Sequence, residues 1–282
     1  MIKASFAGKY YEKDYVSVMN QINSLYESKL GPGDLATSRK NDNLFGILVP
    51  HDKYSLSGAC AAWAYKILAE SKFPDTFLIL VPDQTGTVVN YLTCLEDFET
   101  EFGVCRIDKE FAEKLLESGI VSKADAVVEQ ALEVQLPLLQ HACKDRINDI
   151  KILPIVVPSA NNVEILAKKI VEIKKDLVVI VVSNFTKYGN KFLFTPFKYN
   201  VKESLEGLDL GMIRLILNLD SEMFLKNVKR NKIQVSGSFS VALGLNVLKL
   251  LGAEEGELLS YYKSSSINKD EENSVSYFSF IF

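Results

Sequence analysis

The sequence predicts an α/β protein in which a mixed β-sheet carries helices on both faces. Four apolar runs, at residues 44–49, 76–82, 150–157 and 177–182, lack the alternation of a half-exposed strand, as expected when both faces of a strand are covered. Stretches with helical spacing separate most of these runs, and this alternation is typical of the fold class. We find no internal repeat and no long linker, so a single domain over residues 1–282 is expected.

The first half of the chain opens with a helix and then reaches the first strand. Residues 15–30 have apolar side chains at helical spacing, and a Gly-Pro-Gly turn ends the pattern. Pro50 ends the first strand, Ser57 is a suitable N-cap, and the small residues after it would let a helix lie close to the sheet. After the second strand, the sequence predicts a loop or hairpin at residues 93–106 and a short helix at 109–116.

The second half of the chain continues the alternation. Residues 130–141 form a predicted helix in which Pro137 either introduces a kink or marks a first turn. Further helices are predicted at residues 161–174, 208–219, 220–229 and 235–251, and two antiparallel strands at 258–264 and 274–282.

Composition and charge limit the classes of function. Of the 282 residues, 48% are hydrophobic and 24% are charged, which suits a protein with a large core, and a net charge of -4 argues against electrostatic binding of nucleic acid. No apolar run reaches the roughly 18 to 20 residues that span a bilayer, and the first residues lack the apolar segment of a signal peptide. We therefore expect a cytoplasmic protein without a membrane span, with four reduced cysteines: Cys60, Cys94, Cys105 and Cys143.

Three of the predicted strands end in polar residues. His51 follows the first strand, Asp83 and Gln84 follow the second, and Ser183 with Asn184 follows the most hydrophobic one. Parallel strands that are neighbours bring their carboxyl ends to one edge of a sheet, where α/β proteins usually bind ligands. The sequence therefore predicts a pocket at this edge, although the general tendency of strands to end in polar residues explains each cluster singly about as well.

Six short motifs are spread along nearly the whole chain. The most specific is Glu129-Gln130-Ala131-Leu132-Glu133-Val134-Gln135-Leu136-Pro137, and the others lie at residues 7–11, 50–58, 81–86, 183–189 and 235–237. Together they resemble the Memo family, also named protein B of the AmmeMemoRadiSam system, in which the most specific motif is Glu-His-Ser-Leu-Glu-Val-Gln-Leu-Pro. The resemblance implies a fold related to the class III extradiol ring-cleaving dioxygenases.

The resemblance also implies a metal site, because the family holds a metal with the His of its Pro-His motif, a second His and a Cys. Of these ligands only His51 is kept, since Gln84 stands at the second His and Ser236 at the Cys. Other polar positions of the family pocket are replaced too, by Gln130, Asn184 and Lys187. Amides and hydroxyls are poor ligands for iron, copper or zinc, so we expect no bound metal and no other cofactor.

Two kinds of function remain open for the pocket. In the first, the protein is non-catalytic and binds a partner protein or a small anion attracted by Lys187. In the second, it is an enzyme with rebuilt chemistry, in which His51 is a general base, Lys187 an electrostatic or nucleophilic group and Ser236 a hydroxyl near a helix N-terminus, or an enzyme that keeps metal-dependent, dioxygenase-like or redox chemistry.

The sequence favours the first function, because the coordinated loss of metal ligands is its simplest explanation. Asp83 is a carboxylate next to Gln84 in sequence, and with His51 alone it would make a weak metal site. The chain also lacks the Walker A, GxGxxG, GxSxG and HExxH motifs. The candidate pocket residues are His51, Asp83, Gln84, Gln130, Asn184, Lys187 and Ser236.

Overall fold

The computed structural model describes residues 1–159 and 162–282, and in this part of the chain it contains twelve strands joined in a mixed sheet and ten α-helices. The predicted α/β fold with a mixed sheet is therefore confirmed. The strands are β1 (Ile2–Lys3), β2 (Gly46–Val49), β3 (Thr76–Pro82), β4 (Tyr91–Thr93), β5 (Phe98–Thr100), β6 (Gly103–Ile107), β7 (Val121–Lys123), β8 (Lys151–Val157), β9 (Leu177–Val182), β10 (Lys187–Tyr188), β11 (Glu257–Lys263) and β12 (Ser274–Ile281).

The helices lie between these strands along the chain. They are α1 (Tyr15–Glu27), α2 (Ala59–Glu70), α3 (Lys109–Glu117), α4 (Gln130–Glu133), α5 (Gln135–Ala142), α6 (Val163–Ile173), α7 (Val201–Leu217), α8 (Ser221–Asn231), α9 (Ser238–Leu251) and α10 (Ser265–Asn268).

The centre of the sheet consists of four parallel strands in the order β8-β3-β9-β2. Every residue of β2, β3 and β9 is buried, which explains why their sequences are uninterrupted apolar runs. Strand β12 adds to β2 in the antiparallel direction and pairs with β11, as the two predicted C-terminal strands require. Because the central strands are parallel, their carboxyl ends reach the same edge of the sheet.

Helices cover both faces of the sheet, and small residues set how closely they approach it. Helix α2 packs on β2 and β12, whereas α9 packs on β9 and β3 with α6 against it. At Gly244 in α9, an added Cβ would lie 2.3 Å from Cγ2 of Val181 in β9. The absence of a side chain at this position therefore allows α9 to lie directly on the strand.

Two predicted helix starts are wrong. Ser57 does not cap α2, because its hydroxyl accepts a hydrogen bond from the backbone N–H of Asp52, 3.0 Å away, and a five-residue π-helical turn, Tyr54–Gly58, precedes the helix. Helix α9 begins at Ser238 instead of residue 235, because Gly237 has a left-handed backbone with φ +89°.

Other helix boundaries differ from the prediction in instructive ways. The predicted helix at residues 130–141 is two helices, α4 and α5, separated at Val134, and Pro137 lies in the first turn of the second one, where a missing N–H is tolerated. Helix α7 starts at Val201, seven residues before the predicted start, and Leu205 in these earlier turns is buried. Helix α6 starts at Val163 with Asn162 as its N-cap, and the predicted start at Asn161 lies outside the described residues.

None of the helices in the described part of the chain is both long enough and apolar enough to cross a membrane. The four cysteines are buried as free thiols.

The close approach of α9 to the sheet gives a stability prediction. Changing Gly244→Ala should lower the free energy of unfolding by about 1 to 3 kcal/mol, because the new methyl group overpacks against Val181. The matched control is Gly207→Ala in α7, where an added Cβ meets nothing within 4 Å. Urea unfolding should show the control to be neutral or up to about 1 kcal/mol more stable. Equal midpoints for the two variants would contradict this account of the packing.

Candidate functional site

The carboxyl ends of β2 and β9 are joined by a side chain. The amide of Asn184 accepts a hydrogen bond from the backbone N–H of His51 at 2.9 Å and donates one to its carbonyl oxygen at 3.1 Å. The backbone N–H of Ser236 donates to the carbonyl of Asn184 at 2.8 Å, and the Ser183 hydroxyl donates to the Ser236 carbonyl at 2.6 Å. These contacts bring residue 236 to the same edge of the sheet as His51.

The imidazole of His51 is buried among neutral polar groups. Its Nε2 lies 3.1 Å from the Ser236 hydroxyl, and its Nδ1 lies 3.3 Å from Oε1 of Gln130 and 3.2 Å from Nε2 of Gln84. The same Gln84 nitrogen donates to Oε1 of Gln130 at 3.2 Å. The predicted residues Gln84, Gln130 and Ser236 therefore all contact the one retained histidine.

This environment keeps the His51 ring neutral. Burial lowers its pKa to about 3, against a hydrogen bond with Gln130 that raises it, and the positive charge of Lys187 lowers it further. An imidazole in this state is a hydrogen-bonding group and a weak base. Ring protonation at neutral pH is therefore strongly disfavoured.

A cavity of about 410 Å³ opens beside His51. Five of the predicted residues line it: His51, Gln84, Gln130, Asn184 and Lys187. Ser236 belongs to the same site through its contact with the imidazole. The fold thus brings together six of the predicted groups from five separate segments of the chain.

Asp83 is placed differently, because its carboxylate is engaged by its own loop. One oxygen accepts hydrogen bonds from the backbone and hydroxyl of Thr85 and from the backbone of Gly86, and the other accepts from the backbone of Val88. The carboxyl is partly buried, which raises its pKa, but these hydrogen bonds outweigh the burial and hold the pKa below its usual range. The role of Asp83 here is to shape the loop that carries Gln84.

Lys187 supplies a positive charge to the cavity. It lies in β10, where its backbone N–H donates to the carbonyl of Gln234 at 3.0 Å. Its side chain is partly buried, and within residues 1–159 and 162–282 no carboxylate lies at ion-pair distance from its ammonium. Burial lowers the pKa of Lys187, and the more distant Asp52 partly opposes this. Lys53 and Lys191 also line the cavity.

A further wall of the cavity lies outside the motifs that the sequence singles out. This wall comes from the turn after β10 and from the segment between β11 and β12, and it includes Lys191, Phe192, Asn268, Asp270 and Asn273. These segments carry no strand or helix pattern that would place them near His51. The pairing of β10 with β12 brings them to the cavity.

A buried carboxylate behind Lys187 was also missed. Asp209 accepts hydrogen bonds from the hydroxyls of Thr186 at 2.5 Å, Ser276 at 2.6 Å and Tyr261 at 2.7 Å. Burial raises its pKa, against these three hydrogen bonds. The signal available in the sequence was an aspartate inside the apolar stripe of α7, whose other members are Leu205, Met212, Ile213 and Ile216.

The side chains at the site do not fit the metal that the family resemblance implies. In the described residues no group of three His, Cys, Asp or Glu side chains is arranged to hold a metal ion. Gln84 and Ser236 are neutral, and they approach opposite nitrogens of the His51 ring. A single ion bound to one ring nitrogen could not also be bound by the side chains of residues 84 and 236 without rearrangement.

Comparisons with known proteins agree on one family. A family model described as "Memo-like protein" matches residues 3–281. A MEMO1 family protein of Methanopyrus kandleri is 30% identical over 284 residues, covering 98% of this chain and 96% of that protein. A MEMO1 family protein of Methanococcus maripaludis strain C5 is 30% identical over 286 residues, covering 98% of this chain and 97% of that protein.

A solved structure gives an independent comparison of the fold. An uncharacterized protein from Escherichia coli K12 superposes with a TM-score of 0.52 at 12% identity, covering 85% of this chain and all of that one. At this identity the likeness supports the fold alone.

The neutral state of His51 gives a pH prediction. The two histidines of the chain should show no titration by NMR between about pH 5 and pH 8, because burial also lowers the pKa of His141 to about 4. His141→Gln assigns the resonances. A ring of His51 that titrates near pH 6.5 would contradict the buried environment described above.

The same shift affects stability. At pH values between the folded pKa of about 3 and an unfolded pKa of about 6.5, the His51 ring binds a proton in the unfolded state but not in the folded state. The contribution of this neutral ring to the free energy of unfolding is therefore complete above about pH 6.5 and is lost as the pH falls toward 3. We expect His51→Gln to unfold with a shallower pH dependence between about pH 4 and 6 than the parent in urea titrations. An unchanged slope would contradict the prediction.

Proposed function

The chain belongs to the Memo-like protein family, and from that premise we propose that it works without a metal ion and binds a small anionic ligand in the cavity beside His51. The proposal includes a single domain over residues 1–282 and a cytoplasmic location, to which the buried free cysteines are suited. A partner protein would use the same cavity by inserting an acidic side chain.

The observation that carries the proposal is the ammonium of Lys187, which has no ion-pair partner in the part of the chain that the structure describes. A partly buried cation without a carboxylate at ion-pair distance has lost part of its hydration and gained no compensating ion pair. A bound anion would supply that partner. Lys53 and Lys191 on the cavity wall add positive charge. Asp52 and Asp270 also line the cavity, so only part of its wall is positive.

Two features support a role without a metal. The groups around the imidazole are amides and a hydroxyl, which are weak ligands for transition metals. The positive charge of Lys187 acts on His51 strongly enough to contribute to its lowered pKa, and the same charge would repel a cation bound there.

An enzyme is the second candidate, and one distance favours it. The Ser236 hydroxyl lies 3.1 Å from Nε2 of His51, which is a suitable geometry for proton transfer. A general base works best with a pKa near the working pH, and burial holds the pKa of His51 near 3. Binding is therefore better supported. Labelling of Ser236 by a fluorophosphonate, absent in His51→Ala, would favour the enzyme.

Anion binding gives a direct test with lactate and inorganic phosphate as probes. We expect Lys187→Met to weaken the binding of whichever probe the parent binds by about tenfold or more, the effect of losing one charge-assisted hydrogen bond of about 1.5 to 3 kcal/mol. The matched control is Lys229→Met, an exposed lysine in α8 that does not line the cavity. Isothermal titration calorimetry measures both. Equal affinities for the two variants would contradict the proposal.

Metal independence is tested on the purified protein. Elemental analysis and titration with zinc and iron(II) should detect no stoichiometric ion, because His51 is the only strong ligand among the groups that contact one another here. Any weak binding should be the same in His51→Ala. One equivalent of metal that is lost in His51→Ala would show that the site still holds an ion.

A further inference from the structure

The most distinctive group in the cavity is the amine of Lys187, and we propose that it forms a reversible imine with a small 2-oxo carboxylate. This inference rests on the anion-binding function proposed above and names its ligand class. The carboxylate provides the negative charge that the cavity attracts, and the adjacent carbonyl carbon is the electrophile.

The amine of Lys187 is available to react with a bound ligand. Within the described residues it has no carboxylate at ion-pair distance, and the side chain lines the open cavity. Partial burial favours the uncharged form by lowering the pKa of Lys187, which increases the fraction that carries a free electron pair. Lys53 and Lys191 line the same cavity, but their side chains are exposed.

The backbone holds Lys187 in place. Strand β10 pairs Lys187 with Val275 of β12, and the backbone N–H of Lys187 donates to the Gln234 carbonyl. The preceding residue, Thr186, is buried and donates its hydroxyl to Asp209. A nucleophile on a fixed backbone loses less freedom when it attacks a bound ligand than one on a mobile loop.

The cavity also has groups that would orient a 2-oxo acid. Lys53 and Lys191 can attract the carboxylate, and Asp52 carries a negative charge close enough to affect the pKa of Lys187. Asp52 is itself held by the Tyr277 hydroxyl at 2.7 Å and by the backbone N–H of Lys53 at 2.7 Å. This carboxylate would stabilise the protonated imine, which keeps the positive charge of the lysine.

The chemistry needs no oxidant or reductant. The Nζ electron pair of neutral Lys187 forms a bond to the carbonyl carbon, and the carbonyl oxygen takes up a proton to give a carbinolamine. The carbon–oxygen bond then breaks as the nitrogen electron pair forms the C=N bond. The two protons lost from the nitrogen leave with the oxygen as water. The imine nitrogen then takes up one proton from solvent to give the protonated imine, and hydrolysis reverses the sequence.

Trapping with cyanoborohydride tests the proposal. The whole protein is incubated with pyruvate and cyanoborohydride, and we expect one reduced adduct per chain, mapped by peptide mass spectrometry to Lys187. The rate of labelling at Lys187 should exceed that at any other lysine by tenfold or more. Lys187→Arg, which keeps the charge, should lose the adduct, whereas Lys229→Arg in α8 should keep it. Circular dichroism checks that both variants fold.

Lactate separates this inference from the proposed function, because it has a hydroxyl where pyruvate has the reactive carbonyl. Lactate should bind and slow the trapping of pyruvate but form no adduct. If pyruvate and lactate bind and no adduct forms at Lys187, or if adducts spread evenly over surface lysines, the imine is refuted and anion binding stands. If neither compound binds and no adduct forms, the imine and the binding of small carboxylates are both refuted.

Discussion

The site depends on the two hydrogen bonds through which the Asn184 side chain holds the backbone of His51. They link the ends of β9 and β2, two neighbouring parallel strands whose register already places these residues side by side. An amide can do this because it offers a donor and an acceptor together, and both are used on one residue. This connection fixes the backbone position from which the imidazole contacts Ser236 and lines the cavity.

Around that fixed histidine, the chain keeps hydrogen bonds where the resemblance implies metal ligands. Gln84, Gln130 and Ser236 satisfy both nitrogens of the ring without carrying charge. A buried imidazole with neutral partners avoids the larger desolvation cost of an imidazolium, and its lowered pKa expresses this. The effect is to leave Lys187 as the charged group that distinguishes the cavity next to the ring.

The sequence was informative where local pattern determines structure. Unbroken apolar runs identified the central strands, and the polar residues after them identified His51, Gln84 and Asn184, because parallel strands bring their ends together. Gln130, Lys187 and Ser236 were found only through the resemblance to the Memo family. It was uninformative where position depends on distant pairing. The wall containing Lys191 and Asp270 approaches His51 only through the register of β10 on β12, and β10 is two residues long. Asp83 and Ser57 were misjudged because their side chains bond within their own loops.

Lys187 has no ion-pair partner among the described residues, and the carboxylate that acts on it, Asp52, is already hydrogen-bonded at both oxygens. Both oxygens of Asp52 accept hydrogen bonds, from the backbone of Lys53 and from the Tyr277 hydroxyl, and Asp209 accepts three from hydroxyl groups. Charge-assisted hydrogen bonds of this kind hold a carboxylate in place. They reduce the free energy that the carboxylate would gain by forming an ion pair with an ammonium instead. The positive charge of Lys187 is therefore available to a ligand that enters the cavity.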